Sequence, residues 1–96
     1  MPGPLAFEWS PRKAALNLAK HKVSFEEAVT AFADPLGQLI DDPRHSADDE
    51  RFVLLGQSDR RRLLVVMFTE RGEAIRLISA RRATPREQRR HEEDES

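Results

Sequence analysis

A chain of 96 residues supports a single hydrophobic core, so residues 1–96 are read as one domain whose site must sit on the surface of that core. With 39% apolar and 34% charged residues it belongs among globular chains, and the absence of cysteine excludes disulfides, thiolate zinc sites and a cysteine nucleophile. The formal net charge is −1, no window approaches the roughly 18 consecutive apolar residues of a membrane helix, and the N-terminus lacks a signal-peptide layout, so the expected location is the cytoplasm.

Residues 5–9 read as a short first strand. Ser10-Pro11 then places a capping hydroxyl before a proline at the first helical position, which predicts a helix over 11–21. On it Ala14, Ala15, Leu18 and Ala19 form an apolar face, and Lys13, Asn17, Lys20 and His21 a basic one expected to face solvent. Ser24-Phe25-Glu26-Glu27 is a capping-box pattern that opens a second helix, with Phe25, Ala28, Val29 and Phe32 recurring at helical spacing and Asp34-Pro35 ending it.

A β region follows over 37–41, 51–56, 63–69 and 74–81, with turns at Ser58-Asp59 and Arg71-Gly72 whose shortness favours an antiparallel meander. The run from Leu63 to Phe68 is apolar without alternation, which predicts a central strand covered on both faces. Thr84-Pro85-Arg86-Glu87 again combines a cap, a proline and a glutamate three residues on, and starts a C-terminal helix. No large apolar residue follows Ala83, so that helix is expected to be either frayed or completed by a partner, with 91–96 an acidic tail that can be disordered. The pattern as a whole predicts an α+β fold: an antiparallel sheet of about four to five strands, two N-terminal helices and one C-terminal helix.

Taken together, Phe7-x-Trp9, Lys13 to Asn17, Lys20-His21-x-Val23-Ser24-Phe25-Glu26-Glu27-Ala28, Asp34-Pro35, Glu50-Arg51, Gly56, Arg71-Gly72 and Ile75-Arg76-x-Ile78-Ser79-Ala80-Arg81 resemble the BrnT toxin family. No single piece is specific; the order and spacing of all of them carries the resemblance. Two departures stand out: Trp9-Ser10 where the family has Trp-Asp, and His91 near the position of a tyrosine. Serine caps a helix as aspartate does, so the first is mild. The resemblance implies a RelE-like fold and an endoribonuclease that stops translation. It also implies neutralisation by a BrnA-like antitoxin, expected with two copies of each chain. Operator DNA would be bound only through that antitoxin.

RNA cleavage without a metal needs the 2′-hydroxyl deprotonated, the phosphorane charge stabilised and the leaving 5′-oxygen protonated. The charge segregation offers the means, since residues 71–90 hold seven arginines against two glutamates and 1–23 hold four cations against one acid. Thirteen of the sixteen cations are arginine, which suits bidentate phosphate contact, although base composition of the gene yields the same bias. Histidine titrates near neutrality without a large shift, which makes His21 an acid or base candidate beside Lys20; a dipole-satisfying histidine at a helix C-terminus is the alternative. Glu50 is either a general base or an edge charge, and Arg51 beside it a phosphate ligand.

Arg76 and Arg81 are embedded in an apolar strand. On regular alternation they face opposite ways, so both can line one site only if the strand bulges near Ser79 or ends before Arg81. The alternatives are a salt bridge from Arg76 to an acid such as Asp41 or Asp42, and Arg81 at the sheet edge. The catalytic set is thus Lys20, His21, Glu50, Arg51, Arg76 and Arg81, with Lys13, Arg82 and Arg86 as a cationic rim for the RNA backbone. Phe7 and Trp9 are read as core rather than base-stacking side chains. No paired metal-ligand spacing links His21, His45 and His91, and neither metal nor cofactor is expected. A rival reading is a non-catalytic nucleic-acid-binding or co-repressor subunit. No helix-turn-helix pattern supports it, and a pI near 6.3 is low for a protein that binds duplex DNA alone.

Overall fold

In the computed structural model, which describes residues 6–41 and 51–95, the chain runs β1 (Ala6–Glu8), α1 (Pro11–His21), α2 (Phe25–Ala31), β2 (Gln38–Asp41), β3 (Phe52–Gln57), β4 (Leu63–Arg71), β5 (Ala74–Arg82) and α3 (Pro85–Glu95). The sheet order is β1-β5-β4-β3-β2. Strands β2 to β5 form the expected antiparallel meander, and β1 joins β5 in parallel through Ala6 to Glu8 against Ala74 to Arg76. The hairpin between β4 and β5 turns at Gly72-Glu73, where Gly72 takes a φ of +61° that a side chain would resist.

Both N-terminal helices start where their caps place them. The Ser10 hydroxyl accepts from the Lys13 N–H at 3.3 Å and the Ser24 hydroxyl from the Glu27 N–H at 3.0 Å. One face of the sheet is closed by α2, whose Phe25, Ala28 and Ala31 pack with Val23, Leu54, Leu64, Val66, Phe68, Leu77 and Ala80 into the core. Phe7, Phe32 and Phe68 stack edge to face in series, with ring centroids 5.0 and 5.1 Å apart, and Trp9 meets Phe25 at 5.8 Å, so both early aromatics are core side chains. Gly56 admits α2 to the sheet: a β-carbon there would lie 2.7 Å from the Ala31 carbonyl oxygen.

Two expectations are corrected. Strand β4 is not covered on both faces: Leu64, Val66 and Phe68 are buried under α2, but Leu63, Val65 and Met67 on the reverse are only half-buried. The apolar content there comes from a second, shallower packing surface partly roofed by α3. Helix α1 is rotated from the expected orientation: Ala14 packs against the core and Lys13 and Lys20 are exposed as expected, but Asn17 is buried at 7% exposure while Leu18 is 49% exposed. The reason is hydrogen bonding. Among the described residues no strand pairs with the outer edge of β5 beyond Arg76, and the Asn17 amide takes the place of one. Its Nδ2 donates to the Ala80 oxygen at 2.8 Å and the Val23 oxygen at 2.9 Å, while its Oδ1 accepts from the Ala80 N–H at 3.0 Å. Helix α3 is formed through Glu95, so the acidic segment is helical as far as it is described. No helix among the described residues is long and apolar enough to cross a membrane.

Candidate active site

The bulge that convergence of the two strand arginines requires is present. Met67 pairs with Ser79 but Phe68 pairs with Leu77, which leaves Ile78 as an extra residue in β5. Arg81 therefore lies opposite Val65, Ser79 opposite Met67 and Arg76 opposite Thr69, all three on the face turned away from α2. Extending the alternation of β3 back one residue puts Arg51 on that face too, with Val53 and Leu55.

Each of these two arginines is held by a carboxylate from a peripheral element. Arg76 donates from Nη1 to Glu8 Oε2 at 3.0 Å; this partner is its neighbour on β1, because the parallel pairing sets Glu8 beside it, while Asp42, one of the acids the sequence suggested, lies outside the described residues. Arg81 donates from Nη1 and Nη2 to the two Glu87 oxygens at 2.9 and 3.0 Å. Glu87 and Thr84 complete a reciprocal capping box, the Thr84 N–H donating to Glu87 at 2.8 Å and the Glu87 N–H to the Thr84 hydroxyl at 3.1 Å. The Arg81 fork first, and the Thr84 bonds after it, hold the Glu87 carboxyl down at about 2, and the same pair raises Arg81.

Next to this face α1 and the bulge enclose a groove of about 280 Å³ lined by Lys13, Lys20, His21, Asn17, Ile78 and Ser79, among others. It gathers three of the predicted cations and titratable groups, and Ser79 connects it to the face of Arg76 and Arg81. Helix α1 ends directly after His21, where Lys22 adopts the left-handed conformation (φ 61°) and its N–H donates to the Leu18 oxygen. His21 is half-buried and Lys13 and Lys20 are exposed.

The remaining predicted residues are less concentrated. Glu50 lies outside the described residues. Arg82 pairs with Leu64 and so shares the α2 side of the sheet, opposite to Arg81, and Arg86 is exposed on α3. His91 is buried, but it borders Leu36, Leu63 and Gln88, apart from His21. A larger apolar groove of about 1030 Å³ between Phe7, Val29, Phe32 and Arg61 contains none of the predicted residues. Among the described residues no three His, Asp or Glu side chains gather as a metal would require.

Sequence reasoning missed the most buried ion pair. Glu27, read only as a helix cap, has a side chain 3% exposed; it accepts from Arg62 Nε at 2.9 Å, from a terminal Arg62 nitrogen and from the Ser58 hydroxyl at 2.7 Å. These bonds outweigh burial and hold its carboxyl below the usual carboxylate range. The network ties the start of α2 to the β3–β4 turn and is structural. Asn17 was missed as well, since nothing local distinguishes a helix-edge amide from one that will complete a strand.

A mixed five-stranded sheet closed by α2 on one face, with Arg76 and Arg81 held by carboxylates on the other, defines a small α+β domain. Residues 9–87 match the family described as ribonuclease toxin, BrnT, of type II toxin–antitoxin system. The chain belongs to this BrnT family. The crystal structure of the Brucella abortus ribonuclease toxin BrnT, determined at 1.1 Å, is similar in fold, with a TM-score of 0.63 and 24% identity over 84% of this chain and 99% of that one. No curated protein matches.

Proposed function

We propose that this chain is an endoribonuclease that cleaves RNA without a metal, inhibits translation and is neutralised by a BrnA-like antitoxin. The observation that carries the reading is the bulge at Ile78, which sets Arg76 and Arg81 on one face and puts Ser79 between that face and the groove of Lys20 and His21. In this arrangement the 2′-oxygen of a bound nucleotide attacks phosphorus in line, the P–O5′ bond breaks, and the products are a 2′,3′-cyclic phosphate and a free 5′-hydroxyl. His21, with Glu50 as the second titratable group, takes the 2′-proton or delivers one to the 5′-oxygen. Arg51, Arg76, Arg81 and Lys20 stabilise the extra charge on the phosphorane. Lys13 and Arg86 extend the cationic surface along the RNA; Arg82, which leaves the sheet on the α2 side, can join it only where the RNA passes round the end of β5.

A type II family implies an antitoxin, and the polar α3 and the exposed Leu39 and Ile40 of the edge strand β2 are surfaces a second chain can cover. We expect two copies of each chain, with operator DNA engaged only through the antitoxin. The test is incubation of purified protein with labelled single-stranded RNA in EDTA, beside Arg76→Ala. Cleavage by the wild type and its loss in the folded variant is the expected result. No cleavage by the wild type would overturn cleavage of free RNA and leave ribosome-dependent action or the non-catalytic binding reading.

A further inference from the structure

Both η nitrogens of Arg81 are engaged by the two oxygens of one carboxylate, 2.9 and 3.0 Å away, which is the fork-to-fork geometry that a guanidinium makes with two non-bridging oxygens of a phosphate. We propose that Glu87 is a built-in occupant of a phosphate subsite on Arg81, so that α3 docking and RNA backbone binding at this arginine are mutually exclusive. The inference rests on the ribonuclease reading and adds to it a gate.

Three features make α3 suited to yield. Arg81 belongs to β5, whose backbone is paired along its length to β4 and held through Ala80 to Asn17. Glu87 belongs to a helix with no large apolar side chain, whose attachments to the sheet include this pair and the buried His91. The pair itself is open to solvent, with side chains 41% and 35% exposed, so an incoming phosphate can reach the guanidinium as the carboxylate leaves. In free protein the subsite is then competent only in the fraction of molecules whose Glu87 has swung away, and apparent affinity for RNA falls by that fraction.

Glu87→Gln isolates the charge. Glutamine at the third helical position keeps the capping box with Thr84, so α3 retains its start, while the ionic hold on Arg81 is lost. The probe is a fluorescent 2′-O-methyl oligoribonucleotide, which binds without being cleaved, read by anisotropy at fixed salt, with circular dichroism to verify folding. The expected result is binding about five- to tenfold tighter for Glu87→Gln than for wild type, the size of a partly exposed bidentate pair. Arg81→Ala should bind more weakly, and adding Glu87→Gln to it should give no further gain. A variant damaged in structure would not gain affinity. Unchanged or weaker binding by folded Glu87→Gln, or an equal gain in the Arg81→Ala background, overturns the gate. If the wild type cleaves RNA but Glu87→Gln binds no tighter, the gate fails and the ribonuclease reading stands; absence of RNA binding by every variant removes both.

Discussion

Truncating Asn17 to alanine removes the donor and acceptor that bind the two backbone groups of Ala80 and the carbonyl of Val23. Each of the three buried groups left without a partner costs about 1–3 kcal/mol, and the low end applies because water can enter at the edge of β5 and beside the α1–α2 connection once the amide is gone, so the loss is roughly 3 kcal/mol. In a domain of this size a loss of that order lowers Tm by about 12–24 °C. With an m-value of about 1 kcal/mol/M it moves the urea midpoint down by about 3 M, leaving m itself unchanged. Equilibrium urea unfolding followed by circular dichroism measures it. Asn17→Asp is the sharper companion, since it keeps the acceptor for Ala80 N–H but turns a charged oxygen toward two carbonyls. It should be at least as unstable as the alanine variant near neutral pH and recover on acidification, when the introduced carboxyl gains a proton and can donate. A loss under about 0.5 kcal/mol for Asn17→Ala, the level of an ordinary surface change, would refute the idea that this amide stands in for a missing strand.

Gly56→Ala should destabilise by about 1–3 kcal/mol, because the new β-carbon meets the Ala31 carbonyl at 2.7 Å and either α2 or β3 must shift; thermal melts of the purified variant decide it. Arg62→Ala leaves Glu27 buried with only the Ser58 hydroxyl and the more distant Arg60 at 3.9 Å, a loss of about 3 kcal/mol at the lower end for broken buried pairs. Adding Glu27→Leu should restore part of it, and a double-mutant cycle that found the two losses simply additive would contradict the pairing. For acid unfolding the sign is set by two lowered carboxyls, Glu27 and Glu87. The unfolded chain takes up their protons first, so their contribution is complete above the usual carboxylate range and drains away as pH falls, for Glu87 down to about 2. Tm measured from pH 7 to pH 3 should fall with acidity, and less steeply in Glu87→Gln; parallel curves would exclude Glu87 from the effect.

The meander and the helix starts were legible because each is written locally: Ser10-Pro11, Ser24 with Glu27, and Thr84-Pro85 with Glu87 mark helix starts, and short polar turns separate the strands. What the sequence concealed is set by distant partners. Asn17 is 63 residues from Ala80, and Arg62 is 35 from Glu27, so no periodicity links them. The apolar face of α1 misled because Ala15, Leu18 and Ala19 outweigh one amide in any hydrophobic pattern, whereas burial there follows the unpaired edge of β5. The convergence of Arg76 and Arg81 was legible only as a condition. Alternation showed that a bulge near Ser79 was needed, but no glycine or proline marks Ile78 as the extra residue. Glu8 was hidden as the partner of Arg76 because parallel pairing across 68 residues leaves no turn signal.

The same bulge explains how a chain of net charge −1 can present a cationic face. A strand's side chains alternate, so one inserted residue moves everything beyond it to the other side. With Ile78 absorbed in the bulge, five residues of chain from Arg76 to Arg81 return to the same face. Without it one guanidinium would enter the core beside Leu64 and Val66, where an unpaired charge is untenable. Both arginines are instead at the surface and paired, to Glu8 and to Glu87, so the face is electrostatically muted in the free protein while its donors stay fixed in position. Two consequences follow from that geometry. Carboxylates that hold the guanidinium planes also compete for them, so under the proposed ribonuclease reading the strength of RNA binding would depend on how readily β1 and α3 give up Glu8 and Glu87. They would do so unequally: Glu8 belongs to a strand of the sheet, whereas Glu87 rides on a helix with no large apolar side chain, and this asymmetry is why the proposed gate is placed at Arg81 and not at Arg76.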